Sequence, residues 1–221
     1  MTNTSAQIIE CIPNISEGRR MDVIDALADV VEQTGDVCLL HRTSDADHNR
    51  SVFTFVGAPD SVRWAAYRLI EKASQLIDLE QHSGVHPRLG AVDVVPFVPL
   101  RGVTMADCVA VALRLGAMVG EDLGLPVYLY EAAARMPERR NLADVRRGGY
   151  EVLKREIHLP QRKPDFGSAQ VGEGGAVIIG ARNPLIAYNV YLNTDDVKIA
   201  KRIATAIRGS SGGLVGVKAY G

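Results

Sequence analysis

The sequence has no excess of charge, little cysteine and no long apolar run, and each absence removes a class of function. Its 221 residues carry 25 basic and 26 acidic side chains, a formal charge of -1. Nothing in that balance builds the positive field of a nucleic-acid surface, although pairs such as Arg139/Arg140 and Arg146/Arg147 remain as contacts for an anion. The three cysteines, Cys11, Cys38 and Cys108, are odd in number, far apart and flanked by apolar residues. That pattern predicts buried, reduced thiols in a cytoplasmic protein, not disulfides or a thiolate metal site. No window reaches ~18 uninterrupted apolar residues, so no membrane span is expected. The start, MTNTSAQIIECIPN, lacks the basic and apolar regions of a secretory signal. What remains, with 47% hydrophobic and 23% charged residues, is the composition of a globular protein with a real core.

Hydrophobic periodicity organises that core. Gln7–Ile12 has strand character and ends at Pro13, and Met21–Thr34 places Val23, Ile24, Leu27, Val30 and Val31 on one helical face before Gly35. Cys38–Leu40 and Val52–Val56 read as paired strands around the polar stretch RTSDADHNR. Pro59 and Asp60 open a second helix, and Val92–Val98 is a buried strand. The order β-α-β-β-α-β predicts an α+β fold with a ferredoxin-like subdomain. Thr104 and Asp107 form a capping-box start for a third helix running to about Leu123, followed by a strand at Val127–Tyr130. Residues 131–175 form a long region of low regularity, the kind of segment that is functional or disordered. Leu185–Leu192, Asp195–Arg208 and Leu214–Tyr220 read as strand, helix and strand. They are the start of a second, incomplete ferredoxin-like subdomain whose open edge implies truncation or completion by association. The expected division is 1–182 and 183–221.

Residues 81–99, QHSGVHPRLGAVDVVPFVP, hold two histidines four apart, but Gly84 and Pro87 exclude the helix that a two-histidine metal site at that spacing requires. There is no HExxH, so no metal is expected. His86, on a turn set by proline and glycine, suits a general base, or else is a loop imidazole bonded to a carbonyl. Asp45, Asp47, His48, Asn49 and Arg50 crowd a second loop. They read either as an Asx-rich hairpin or as substrate contacts, with Arg50 able to grip a carboxylate by two prongs. The glycines at 167, 172, 174, 175 and 180 permit close approach of a ligand to the backbone, but the dinucleotide fingerprint GxGxxG is absent.

Six collinear segments, over about four-fifths of the chain, resemble the formiminotransferase family. They are ECIPNISEGRR (10–20), DHNRSVFTFVG (47–57), LIDLEQHSGVHPRLGAVDVVPFVPLRGV (76–103), PVYLYEAAARMPERRNL (126–142), RRGGYE (146–151), and PDFG with GAR (164–182). The resemblance implies a transferase that moves a formimino group from N-formiminoglutamate to tetrahydrofolate in histidine breakdown, with two ferredoxin-like subdomains, homodimerisation and no metal. It places the acid–base role on His86. Folate contacts fall on Gly167, Ser168, Ala169, Gln170, Val171, Gly172, Glu173, Gly174 and Gly175. Asp45, Asn49, Arg50 and Arg88 are candidate substrate contacts, and the arginines of 135–147 are candidates for the carboxylates of glutamate and of the folate tail. The competing expectation is a folate-binding module, or a formyl-handling relative, that is inactive alone because its second subdomain is short.

Overall fold

The structure, a computed structural model, describes residues 6–221; residues 1–5, the start of the expected first subdomain, lie outside the described residues. The chain divides into two units, one through Pro184 and one from Leu185 to Gly221.

The first unit is built on strands β1 (Ile8–Cys11) and β2 (Asn14–Ile15), helix α1 (Met21–Glu32), β3 (Val37–Asp45), β4 (Arg50–Gly57), α2 (Pro59–Leu76), β5 (Val92–Arg101), α3 (Met105–Asp122), β6 (Val127–Glu131), α4 (Leu142–Val145), α5 (Gly149–Glu156) and β7 (Val177–Ala181). Pro13 divides β1 from β2, since proline supplies no ladder N–H; its carbonyl still accepts from Phe53 N at 3.1 Å. The seven strands form one mixed sheet. β3 pairs with β4, β4 with β1 and β2, and these with β5, all antiparallel. β7 then adds parallel to β5, and β6 parallel to β7.

α1, α2 and α3 cover one face. Ile24, Leu27 and Val31 of α1, Leu69 and Ile70 of α2 and Leu115 of α3 pack with Phe53, Phe55, Val95 and Phe97 from the sheet in one buried cluster. α3 starts where its capping box predicts: Thr104 Oγ1 accepts from Asp107 N, and the Asp107 carboxylate accepts from Thr104 N. On the opposite face a smaller cluster joins Val94, Tyr128, Tyr130 and Ile178 to Val145, Leu153 and Ile157, so α4 and α5 lie on this side.

Several expectations need correction. RTSDADHNR is mostly strand, because β3 and β4 keep their cross-strand pairing to Asp45↔Arg50 and leave only residues 46–49 as the turn. Cys38 is exposed while Cys11 and Cys108 are buried; β3 is an outer strand, and Cys38 lies on it away from the helices. Region 131–175 is ordered by α4, α5 and two short 3-10 turns, Pro137–Arg139 and Pro160–Arg162.

The second unit contains α6 (Val197–Ile207), capped by Asp196, whose carboxylate accepts from Lys198 N at 2.8 Å. The strands expected at 185–192 and 214–220 are not formed. Leu214 makes a single bridge to Arg208, and residues 185–192 pair with nothing among the described residues. A strand needs a neighbour for its N–H and C=O groups. Without one, Ile186 and Tyr191 remain 93% and 94% exposed.

Candidate active site

Two turns meet at one end of the sheet. The 46–49 turn of the β3–β4 hairpin packs on the loop before β5: Val85 N donates to Asp47 O at 3.3 Å, and Asn49 Nδ2 to Ser83 O at 2.9 Å. Gly84 permits this approach, since a Cβ there would lie 2.4 Å from His48 O. Asn49 adopts a left-handed φ of 48° and accepts from Gly18 N at 2.9 Å, so its amide ties three segments together. Glu17 is buried and anchors the entry to α1, accepting from Arg19 N and Arg20 N at 2.9 and 3.0 Å. Burial raises its carboxyl, but those N–H groups and the Arg20 guanidinium outweigh burial and hold it below the ordinary carboxylate value.

His82 and His86 lie in this junction, on irregular backbone. His82 Nε2 is 3.1 Å from Asn49 O. His86 Nε2 is buried with no hydrogen-bond partner among the described residues, and its ring centroid is 6.5 Å from that of His48. Burial, then the charges of Arg50 and Arg146, and then the His48 and His82 rings lower the His86 imidazole to about 3. His86 is therefore neutral at pH 7, with burial and the two arginine charges making it a weak base in the unliganded chain.

The glycine-bearing stretch is bound to the same loop. Ala91 N donates to Gly174 O and Ala176 N to Leu89 O, both at 2.9 Å, while Leu79 N donates to Glu173 O at 2.9 Å. Gly175 has φ +72°, and a Cβ there would lie 2.2 Å from Leu89 O. Tyr150 OH donates to Glu80 Oε1 at 2.5 Å and lies 3.3 Å from Gly172 O, and burial with the Glu80 carboxylate raises the phenol well above its usual range.

Of the sequence-predicted residues, the structure brings His86, Arg50 and Asn49 together and ties the 172–175 end of the glycine stretch to the loop that carries His86. Asp45 is exposed and caps the turn, accepting from His48 N at 2.8 Å. Arg88 Nη2 donates to His82 O at 3.0 Å and pairs with Glu151 at 2.9 Å. The other end, Gly167 and Ser168, packs on the end of α3, with Ser168 Oγ donating to Gly124 O at 2.9 Å. The DFG aspartate is structural: Asp165 pairs with buried Arg139 at 2.6 Å and accepts from Leu129 N at 2.8 Å.

Residue reasoning missed Asp93 and Asn14. Asp93, 2% exposed in its side chain, accepts from Leu89 N at 2.7 Å and pairs with Arg146, and Asn14 Oδ1 accepts from Arg50 Nε at 2.8 Å. One signal was available for Asp93: a carboxylate inside the apolar run AVDVVPFV needs a buried partner. Among the described residues no group of three or more His, Cys, Asp or Glu could hold a metal ion, and no helix is long and apolar enough to cross a membrane.

A neutral imidazole thus lies within reach of the charges of Arg50 and Arg146 in an α+β chain built on one mixed sheet. Residues 8–182 match the formiminotransferase domain, N-terminal subdomain, and the chain belongs to this family. It is 45% identical over 217 residues to glutamate formimidoyltransferase of Streptococcus pyogenes, covering 98% of this chain and 73% of that one. It is 49% identical over 213 residues to glutamate formimidoyltransferase of Thermoplasma acidophilum, covering 96% and 70%. Formimidoyltransferase-cyclodeaminase of Rattus norvegicus is 45% identical over 204 residues, which are 92% of this chain and 38% of that protein.

Proposed function

We propose that the protein transfers the formimino group of N-formiminoglutamate to tetrahydrofolate, giving 5-formiminotetrahydrofolate and glutamate, as a step of histidine degradation and one-carbon metabolism. The observation that carries this reading is the buried His86 Nε2, without a hydrogen-bond partner among the described residues, in a chain of the formiminotransferase family. N5 of the folate adds to the amidine carbon to form a tetrahedral intermediate. His86 takes the N5 proton and returns it to the glutamate nitrogen as that C–N bond breaks. Acid–base help of this kind is worth ~10²–10⁴-fold, and alignment of the two substrates supplies the rest. The folate lies on Gly167–Gly175, and Asp45, Asn49, Arg50 and Arg88 lie around the donor.

The antiparallel neighbours β3, β4, β1/β2 and β5, with α1 and α2 on one face, support a ferredoxin-like arrangement for the first subdomain, ending at residue 182. Residues 183–221 begin a second. The active form is a cytoplasmic homodimer.

The test is the absorbance of 5,10-methenyltetrahydrofolate, formed by added cyclodeaminase from a 5-formimino product and by acidification from a 5-formyl product. Formiminoglutamate is expected to give product and N-formylglutamate none. Product from the formyl donor alone overturns the assignment in favour of formyl transfer. Folate binding without turnover of either donor assigns a binding module.

A further inference from the structure

Two guanidinium groups, carried by different elements, act electrostatically on the His86 ring. Arg50 projects from β4 on the face that carries Asn14, which is paired with Val52 and Val94. Arg146 follows α4, whose Val145 packs on Val94, so it approaches from the same face. Each is held from behind. Arg50 Nε donates to Asn14 Oδ1 at 2.8 Å, an amide that supplies no charge, and Arg50 makes no salt bridge among the described residues. Arg146 Nη2 pairs with Asp93, whose other oxygen is fixed by Leu89 N, and Arg146 Nε is buried with no partner among the described residues.

Two cations thus face one close buried carboxylate, Asp93, with exposed Asp45 across the strand pair from Arg50. Orphaned donors and uncompensated charge at a buried site are costly unless a ligand supplies the acceptor. Planar guanidinium groups match a carboxylate.

We propose that Arg146, aimed by Asp93 and paired with Arg50, is the carboxylate-recognition element that selects an acidic formimino donor and seats it beside His86. The inference rests on the formimino-transfer reading and adds the specificity residue to it. Arg146 touches the donor; Asp93 and Asn14 are positioning residues. A carboxylate between the guanidinium groups also offsets part of the charge that keeps His86 unprotonated, so donor binding raises the basicity of the proton shuttle.

The test compares formiminoglutamate with N-methylformamidine, the same amidine without a carboxylate, in wild type, Arg146→Met, Arg146→Lys and Asp93→Asn. Loss of a charge-assisted pair predicts a fall in kcat/KM for formiminoglutamate on the order of 10–100-fold in Arg146→Met. The loss appears mainly in KM, with kcat/KM for N-methylformamidine and KM for tetrahydrofolate within about threefold. Arg146→Lys loses the fork but keeps a charge near Asp93, so it carries the comparison if the methionine variant does not fold. Asp93→Asn shows a smaller loss with the same donor selectivity.

Glutarate, titrated calorimetrically and by NMR of the His86 ring, is expected to bind wild type, raise the His86 pKa and bind Arg146→Lys at least several-fold more weakly. Equal losses for both donors, a rise in KM for tetrahydrofolate alone, or unchanged glutarate binding in the variants overturns the proposal. If no donor is turned over by wild type, formimino transfer fails as the activity, while the glutarate titration still decides the carboxylate site.

Discussion

His82 Nε2 lies 3.1 Å from the carbonyl oxygen of Asn49, whereas His86 Nε2, in the same loop, is buried without a hydrogen-bond partner among the described residues. His82 Nδ1 is likewise buried without a partner among the described residues, so what separates the rings is that His82 closes the junction between two turns through Nε2. On the proposed reading His82 positions the loop and His86 carries the proton, a difference that is measurable.

His86→Ala is expected to lower kcat by ~10²–10⁴-fold, the scale of acid–base catalysis, with little change in thermal midpoint. His82→Ala should instead lower stability, by about 0.5–1.5 kcal/mol for the lost bond, with a smaller effect on kcat. Steady-state rates and urea unfolding of both variants check the division; comparable kcat losses in the two would place the chemistry elsewhere.

Acid sensitivity should begin unusually early. His86 titrates near 3 in the folded chain and near ~6.5 when unfolded, so the unfolded state binds the extra proton between those values. That contribution is complete above ~6.5 and is lost as pH falls toward 3. Glu17, lowered in the fold, adds a second loss as pH passes down through the carboxylate range. Urea unfolding from pH 7 to 4.5 should show declining stability, and His86→Gln should flatten the decline between 6.5 and 5.

Gly175→Ala is expected to cost about 1–3 kcal/mol, because the residue holds φ +72° and a Cβ would press on Leu89 O. Since Ala176 N donates to Leu89 O, strain there spreads to the loop bearing His86. KM for tetrahydrofolate should rise along with the loss of stability. An alanine variant with wild-type unfolding and KM contradicts the close approach.

The cysteines should label in two classes. Cys38 is exposed, while Cys11 and Cys108 are buried, and burial pushes the Cys108 thiol up to about 11 and raises Cys11 well above its usual value. A chromogenic disulfide reagent should titrate one thiol in the native protein and three in denaturant.

Arg139→Met should be the most damaging of these substitutions to the fold. It leaves the buried Asp165 carboxylate without its cation, a loss of about 3–5 kcal/mol in comparable pairs. Asp165→Asn with Arg139→Met should recover part of that stability in a double-mutant cycle.

The sequence by itself determined the elements that local chemistry controls. Pro59 opens α2, the Thr104–Asp107 box opens α3, and Gly84 with Pro87 keeps both histidines off a helix, because caps and backbone restrictions act over a few residues. The segments carrying the family resemblance made candidates of Arg50 and of His86, whose part the rate measurements above are to decide.

Only the tertiary structure decided what depends on a distant partner. The polar stretch before His48 became strand because β4 pairs with it residue by residue. The apolar segments at 185–192 and 214–220 did not become strands because nothing among the described residues offers them a ladder. Asp93 reads as an odd charge in a valine run until Arg146, 53 residues later, is brought against it. The role of a buried charge is set by its partner, and that partner is chosen by the fold.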